Sequence, residues 1–327
     1  MQMRALANVA EREVGFVELP APPEPGPTQI LIETAYSGIT NGTERHCLVG
    51  EFGSLTFPAF NGYQQVGQIV ALGDKVRGFE QGDWVFYGQY VGHRGWNLVD
   101  VAFNTPTENC WHNVVRLPGA LEPKYCGLLG VAGVALRAVR RLRVGLGQKV
   151  WVVGAGLIGQ FAAQAARCAG GDVLVSDINP ARLKQAMLCG ARSLVNATEQ
   201  DAWEQLRAAG PFDVIIDCSS MKSLLWDIAT NGLMKHGTVI GLIAVRPEVV
   251  FPWGMLHGTE ASIEVSCHFG TADVEAVIHY LMTGQMVVEP LITHQPPVDE
   301  APTIYRQLVE EPGSLLGVVF DWTVARK

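Results

Sequence analysis

The chain has 327 residues, 48% of them hydrophobic and 17% charged, with 36 Gly and seven Cys, which excludes disordered, collagen-like and disulfide-scaffold proteins. This length suggests two domains, each large enough to bury its own core. Lys and Arg total 24 against 32 Asp and Glu, and the net charge of −8 opposes binding to nucleic acid or to an anionic membrane surface.

The opening residues, MQMRALANVAEREVGFVEL, mix charges among apolar side chains and lack the apolar core of a signal peptide. No stretch approaches the roughly 18 apolar residues of a membrane span. The expectation is a cytoplasmic protein. Cys47, Cys110, Cys126, Cys168, Cys189, Cys218 and Cys267 contain no C-x-x-C pair. Neither disulfides nor a structural zinc clamp are therefore expected.

Residues 1–117 read as short strands punctuated by Gly and Pro. Val14 to Leu19 ends in PAPPEPGP, Gln29 to Thr34 alternates as a strand does, and Gln65 to Leu72 is followed by the turn Gly73-Asp74. Trp84 to Tyr87 is a further short run, and the density of such strands suggests a barrel-like β domain. From Pro123 to Arg143 the apolar spacing becomes helical, and strand and helix then alternate through KVWVVG, DVLVSD, FDVIIDC and TVIGLIA. Val- and Ile-rich strands alternating with helices predict a doubly wound parallel sheet, hence an α/β fold over 118–269. A helix from Ala272 to Thr283 and β-like text in EPLITHQ and LLGVVFDW close the chain. Such an ending could return to the first domain and make it discontinuous, 1–117 with 270–327.

The strand Lys149 to Val153 runs into Gly154-Ala155-Gly156-Leu157-Ile158-Gly159 and then a helix through Cys168. This is G-x-G-x-x-G in its strand–turn–helix setting. Gly154 allows the tight turn, Gly156 the approach of a pyrophosphate, and Gly159 close packing of helix on strand. The helix N-terminus, at Leu157 and Ile158, offers unpaired N–H groups and a positive dipole end. Asp177, at the tip of the next strand, either accepts hydrogen bonds from the adenosine ribose, favouring NAD(H) over NADP(H), or caps the helix after Pro180. Arg182 could meet a phosphate or lie on the helix surface.

A β-rich domain, a dinucleotide domain and a returning strand, with SGITNGTERH, GYQQVGQIVALGDKV, GDWV, NVVRLP, GAGLIG and PLITH in that order, resemble the medium-chain dehydrogenase/reductase superfamily, the zinc-type alcohol and polyol dehydrogenases. The resemblance spans essentially the whole chain and implies a GroES-like catalytic domain beside the Rossmann domain. In that family a Cys in G-I-C-G-T-D, a His in G-H-E and a Cys or carboxylate early in the next domain hold a catalytic zinc. Here the first segment is Gly38-Ile39-Thr40-Asn41-Gly42-Thr43-Glu44, with the ligand position falling on Thr40 or Asn41. The second is Gly62-Tyr63-Gln64 and the third Leu129-Gly130-Val131. Thiolate, imidazole and carboxylate are absent from the ligand position of all three, and the lobe with four clustered Cys is missing, so no zinc is expected. His46, Cys47, His93, Cys110 and His112 have no ligand-like spacing, and His46 and Cys47 would point apart on a strand.

Aligned with the family's C-G-T-D-x-H, Thr43 and His46 resemble its proton relay, the hydroxyl contacting the substrate alcohol and the imidazole passing the proton to solvent. The alternatives are a turn-stabilising hydroxyl and an exposed helical His. Tyr63 either donates to a developing alkoxide or plugs the former zinc cavity. Asn41 and Gln64 could orient substrate by neutral hydrogen bonds, while His93, Trp96 and Tyr87 are candidates for lining the cleft between domains. SGI-x-x-GTE with GY-[EQ]-x-x-G, LITH and FDW resembles the zinc-free subgroup that includes bacteriochlorophyllide 3-hydroxyethyl dehydrogenases. The implied activity is zinc-independent, NAD(H)-dependent interconversion of a secondary alcohol, whether sugar, cyclitol or pigment-like, and a ketone. The alternatives are a zinc-free enone or quinone C=C reductase and a non-catalytic NAD-binding protein. Relatives pair through the edge strand of the cofactor domain, here near Ile263 to Cys267, which implies a homodimer.

Overall fold

The computed structural model describes residues 2–51, 56–103 and 113–324. Cys110 and His112 lie outside them. The chain divides into two compact units. One is Met1–Gly130, Phe269–Met282 and Ile292–Lys327; the other is Val131–His268 and Thr283–Leu291.

The first unit opens with a hairpin, β1 (Gln2–Ala10) and β2 (Glu13–Pro20); β1 lacks strict alternation because Ala5 to Asn8 are all buried. There follow β3 (Gln29–Gly38), α1 (Asn41–Leu48), β4 (Gln65–Leu72), β5 (Trp84–Gly88), β6 (Trp96–Asp100) and β7 (Asn113–Arg116). Alternating residues of these strands, Ile30, Ile32, Ile69, Val85, Tyr87, Val99 and Val114, form one buried cluster. This is the inward half of a period-two pattern.

The second unit begins within α2 (Leu129–Arg141). It continues through β8 (Lys149–Val153), α3 (Leu157–Cys168), β9 (Asp172–Asp177), α4 (Pro180–Leu188), β10 (Ser193–Asn196), α5 (Ala202–Ala209), β11 (Phe212–Asp217), α6 (Leu224–Thr230), β12 (Met234–Leu242), α7 (Trp253–Thr259) and β13 (Ser262–Val265). The sheet order is β10-β9-β8-β11-β12-β13, with every pairing parallel. From β8 the chain winds outward on one side to β10, then returns to β11 and winds out on the other. The boundary between β8 and β11 is the topological switch point, where open α/β sheets bind ligands. The strands are apolar because both faces are covered: Trp151, Phe212, Ile215 and Ile240 pack with Leu224, Leu225 and Ile228 of α6.

His268 is buried at a backbone φ of +56°. Burial, reinforced by the Arg137 guanidinium, pulls its imidazole from the ordinary 6.5 down to about 4. Between those values the unfolded chain binds a proton that the folded one does not. The resulting stability is complete above about pH 6.5 and is lost as pH falls toward 4, by up to about 3 kcal/mol. Urea unfolding at pH 5 and 7.5 tests this with His268→Asn, which tolerates the left-handed backbone and cannot titrate. The substituted chain is expected to lose most of the acid sensitivity; an unchanged pH slope would refute the assignment.

The closing segment, α8 (Thr271–Met282), β14 (Ile292–His294), α9 (Ala301–Glu310) and β15 (Gly317–Asp321), belongs to the first unit apart from Thr283–Leu291. β15 pairs antiparallel with β3, completing the seven-stranded sheet. Its Val318 and Phe320 join Leu6, Val14, Ile39, Leu48, Ile304 and Leu308 in a core that ties the first and last parts of the chain together. No helix among the described residues is long and apolar enough to cross a membrane.

Candidate functional site

In the second unit the glycine-rich loop is built by β8, α3 and β9 together. Gly154 has φ +91°, open to Gly at no steric cost, and its N–H donates to Ser176 O at 2.8 Å. Gly156 is the N-cap of α3, whose first intrahelical bond is Gln160 N to Gly156 O at 2.9 Å. The N–H groups of Leu157, Ile158 and Gly159 consequently have no intrahelical acceptor. Asp177 accepts from Ala155 N (2.5 Å) and Asn179 N (2.7 Å), so its carboxylate braces the loop from the tip of β9. The helix cap is Asn179, which accepts from Ala181 N at 2.9 Å with Pro180 in the first turn. Arg182 is half-buried, its Nη1 4.0 Å from where a Cβ on Gly156 would stand, and thus lies over the loop.

In the first unit, the three segments where the family places metal ligands converge. Gln64 Nε2 donates to Thr40 Oγ1 at 3.3 Å, with both residues buried. A Cβ on Gly130 would stand 2.8 Å from Gln64 Oε1 and 2.9 Å from Tyr63 Cε2. The space for a third ligand side chain is occupied by the neighbours that replaced the second. Tyr63 is 3% exposed and packs on Tyr90 (centroids 4.8 Å apart) and Phe269 (5.9 Å). Thr40 rather than Asn41 faces this cluster. Asn41 spends its amide N–H on the carbonyls of Leu316 (2.9 Å) and Leu315 (3.2 Å), pinning the start of α1, which leaves only Oδ1 for a substrate.

Behind these residues lies a buried polar chain that motif matching does not register. Glu44 and His93 are each 1% exposed, joined Oε2 to Nε2 at 3.0 Å. Glu44 also accepts from Thr40 N at 2.6 Å, in the manner of a capping box, and from the Tyr305 hydroxyl in a short contact. His93 Nδ1 meets Ser37 Oγ at 2.8 Å, and Ser37 Oγ accepts from Trp322 Nε1 at 2.8 Å. Donor counting places the His93 proton on Nε2 and lets Ser37 O–H donate to Nδ1, satisfying every group in the chain. Burial and the Glu44 carboxylate raise the Tyr305 phenol well above its ordinary range, so it remains a donor. His93 is thus enclosed within its unit rather than lining a cleft. Tyr87 lies in the strand core, where burial pushes its phenol up to about 12.

Thr43 and His46 sit one turn apart on α1 and share a face, both half-buried. His46 and Cys47 are on this helix, not on a strand, because Glu44 and the pinned Asn41 hold its first turn. His46 Nδ1 contacts Glu51 closely, a base–orienter arrangement suited to a proton carrier. Trp96, with Tyr87 and Arg94, lines a groove of about 450 Å³ in the first unit.

Residues 26–140 match the alcohol dehydrogenase GroES-like domain, and residues 158–283 match the zinc-binding dehydrogenase domain. The L-threonine 3-dehydrogenase of a Chelativorans species is 27% identical over 98% of this chain and 99% of its own. The 2-desacetyl-2-hydroxyethyl bacteriochlorophyllide A dehydrogenase of Rhodobacter capsulatus is 28% identical over 93% of each chain. A putative zinc-binding dehydrogenase from Sinorhizobium meliloti, solved bound to NADP, superposes with a TM-score of 0.82 at 21% identity, covering 98% of this chain and 99% of its own. The second matched description implies zinc. The convergent groups here, a threonine hydroxyl, a phenol and a carboxamide beside a glycine that has no side-chain donor, do not fit that ion, and no cluster of three or more His, Cys, Asp or Glu among the described residues could hold a metal.

Proposed function

From its membership of the medium-chain dehydrogenase/reductase superfamily, an oxidoreductase family, we propose that this chain is a zinc-independent, NAD(H)-dependent enzyme interconverting a secondary alcohol and a ketone. The observation that carries this reading is the filled ligand site, with Gly130 closed against Tyr63 and Gln64. The dinucleotide, when bound, supplies hydride transfer. It would be held by the loop Gly154–Gly159, with the first-turn N–H groups of α3 toward its pyrophosphate and Asp177 toward the adenosine ribose.

The chain's own residues handle oxygen and proton. Thr43 accepts the proton of the substrate hydroxyl as it hands its own on toward the imidazole of His46, the base of the relay, and His46, oriented by Glu51, releases it to solvent. The Tyr63 phenol donates to the oxygen as charge develops on it, held by Tyr90 and Phe269. Gln64 and the free Oδ1 of Asn41 orient the substrate. The test is turnover of a panel of secondary alcohols with NAD+ after exhaustive chelation, with metal content measured in parallel. Turnover is expected to survive chelation and to fall in the double variant His46→Ala/Tyr63→Phe. A requirement for added zinc would overturn the reading; NADPH-dependent reduction of enones alone would favour the C=C reductase, and NADH binding without turnover a silent binder.

Asp177 is proposed to set cofactor choice, since its carboxylate would repel a 2′-phosphate. Asp177→Asn removes the charge and keeps one of the two oxygens that accept from Ala155 N and Asn179 N. The NADPH-to-NADH affinity ratio is expected to rise by about tenfold or more, measured by titrating each dinucleotide. An unchanged ratio would assign Asp177 to loop bracing alone.

A homodimer through the sheet edge is proposed as the working state. β13 is that edge, and Val265 on it is 64% exposed. Sedimentation is expected to give twice the mass of one chain, and Val265→Lys to shift it toward one; a single-chain mass for the unaltered protein would refute the dimer.

A further inference from the structure

At the C-terminal edge of the parallel sheet a second charged device stands on the far side of the switch point from Asp177. Asp217 ends β11 and is fully buried. Its Oδ1 accepts from Ser219 N and Ser219 Oγ, both at 2.9 Å, and its Oδ2 from Arg246 Nη1 at 2.6 Å. Arg246 lies just past β12, its Nε donating to Ala244 O at 3.1 Å and its side chain only 13% exposed. Its Nη2 is buried and has no hydrogen-bond partner among the described residues. The ion pair borders the cofactor loop: the Cys218 and Ser219 backbone lies 3.2 Å from where a Cβ on Gly154 would stand.

A buried N–H left unpaired costs free energy that an apolar side chain would not incur. Here the orphan is on a guanidinium clamped by a carboxylate that is itself fully satisfied, so the donor is held in place. In doubly wound sheets each βαβ half takes one mononucleotide, on its own side of the switch point. With Asp177 and the glycine-rich loop on the β8–β9 side, the β11–β12 side is left for the nicotinamide nucleotide.

We propose that Arg246 is a cofactor-binding residue whose Nη2 donates to an oxygen of the nicotinamide nucleotide, with Asp217 as the positioning residue that fixes the guanidinium. The pairing also cancels the charge of Arg246, so the donor does not oppose the positive ring of the oxidised cofactor. This rests on the NAD(H) reading above and names a contact within it.

The test uses the full chain and two probes: NADH, and 5′-AMP, which lacks the nicotinamide nucleotide. Arg246→Met is expected to weaken NADH binding by about tenfold or more, the scale of a lost charge-assisted hydrogen bond, and to leave AMP binding unchanged. Asp217→Asn should weaken NADH in the same selective way but less. Equal losses for both probes, or no loss for NADH, would overturn the proposal. Should Arg246→Met fail to fold, Arg246→Lys keeps the charge and stem, and a selective loss for NADH is again expected, with unchanged NADH binding overturning the proposal. Unaltered protein that binds neither probe would instead refute the NAD(H) reading itself.

Discussion

Replacing Gly159 by alanine is expected to abolish NADH binding and to lower the thermal midpoint of unfolding. A Cβ at this position would stand 1.8 Å from Gly154 O and 2.9 Å from its carbonyl carbon, distances that backbone atoms cannot absorb by a rotamer change. Either α3 moves away from β8 or the turn at Gly154 opens. The loop that presents the N–H groups of Leu157 and Ile158 loses its shape in both cases. Overpacking of this severity costs about 3 kcal/mol, a midpoint shift on the order of 10 °C for a unit of this size. Calorimetry with NADH titration checks both parts. An alanine variant with unaltered NADH affinity would show that the loop does not bind the dinucleotide in the way proposed.

Removing the Glu44 carboxylate is expected to destabilise the first unit by about 3–5 kcal/mol, the penalty of breaking a buried charged network from one side. Glu44→Ala strands the Tyr305 hydroxyl, His93 Nε2 and the Thr40 N–H together, in surroundings that exclude water. Tyr305→Phe, which deletes one donor and keeps the ring, costs about 1–2 kcal/mol. The two losses should not add: with Glu44 already removed, deleting the stranded hydroxyl relieves a burial penalty instead of breaking a bond. Urea unfolding of both single variants and the double variant measures this coupling, and strictly additive losses would show that the contact carries no energy. Because α1 also carries Thr43 and His46, Tyr305→Phe should reduce turnover more than its effect on stability alone would suggest.

Seven scattered cysteines without ligand-like spacing are legible in the sequence because they concern residue types, and types need no coordinates. The same holds for β8, the GAGLIG loop, α3 and Asp177: these are contiguous, and hydrophobic period and glycine spacing are local properties. Helix α9 is hard to read from the sequence although Ile304, Tyr305 and Leu308 follow a helical spacing, because its run is short, Pro296 and Pro297 precede it and Pro302 stands in its first turn. That Asn179 and not Asp177 caps α4 is a matter of geometry that residue spacing does not carry.

What the sequence determined by itself is the order of elements, the glycine-rich turn between β8 and α3, and the residue types at the positions where the family has metal ligands. The tertiary structure decided where the remaining polar groups find partners. Glu44 meets Tyr305 across 261 positions, Arg246 meets Asp217 across 29, and Gly130 closes against Tyr63 and Gln64. Periodicity reports which face of an element is buried, but not which face of a distant element it is buried against. Buried hydrogen bonds depend on that second fact, because each must satisfy donor and acceptor within about 3 Å once water is excluded.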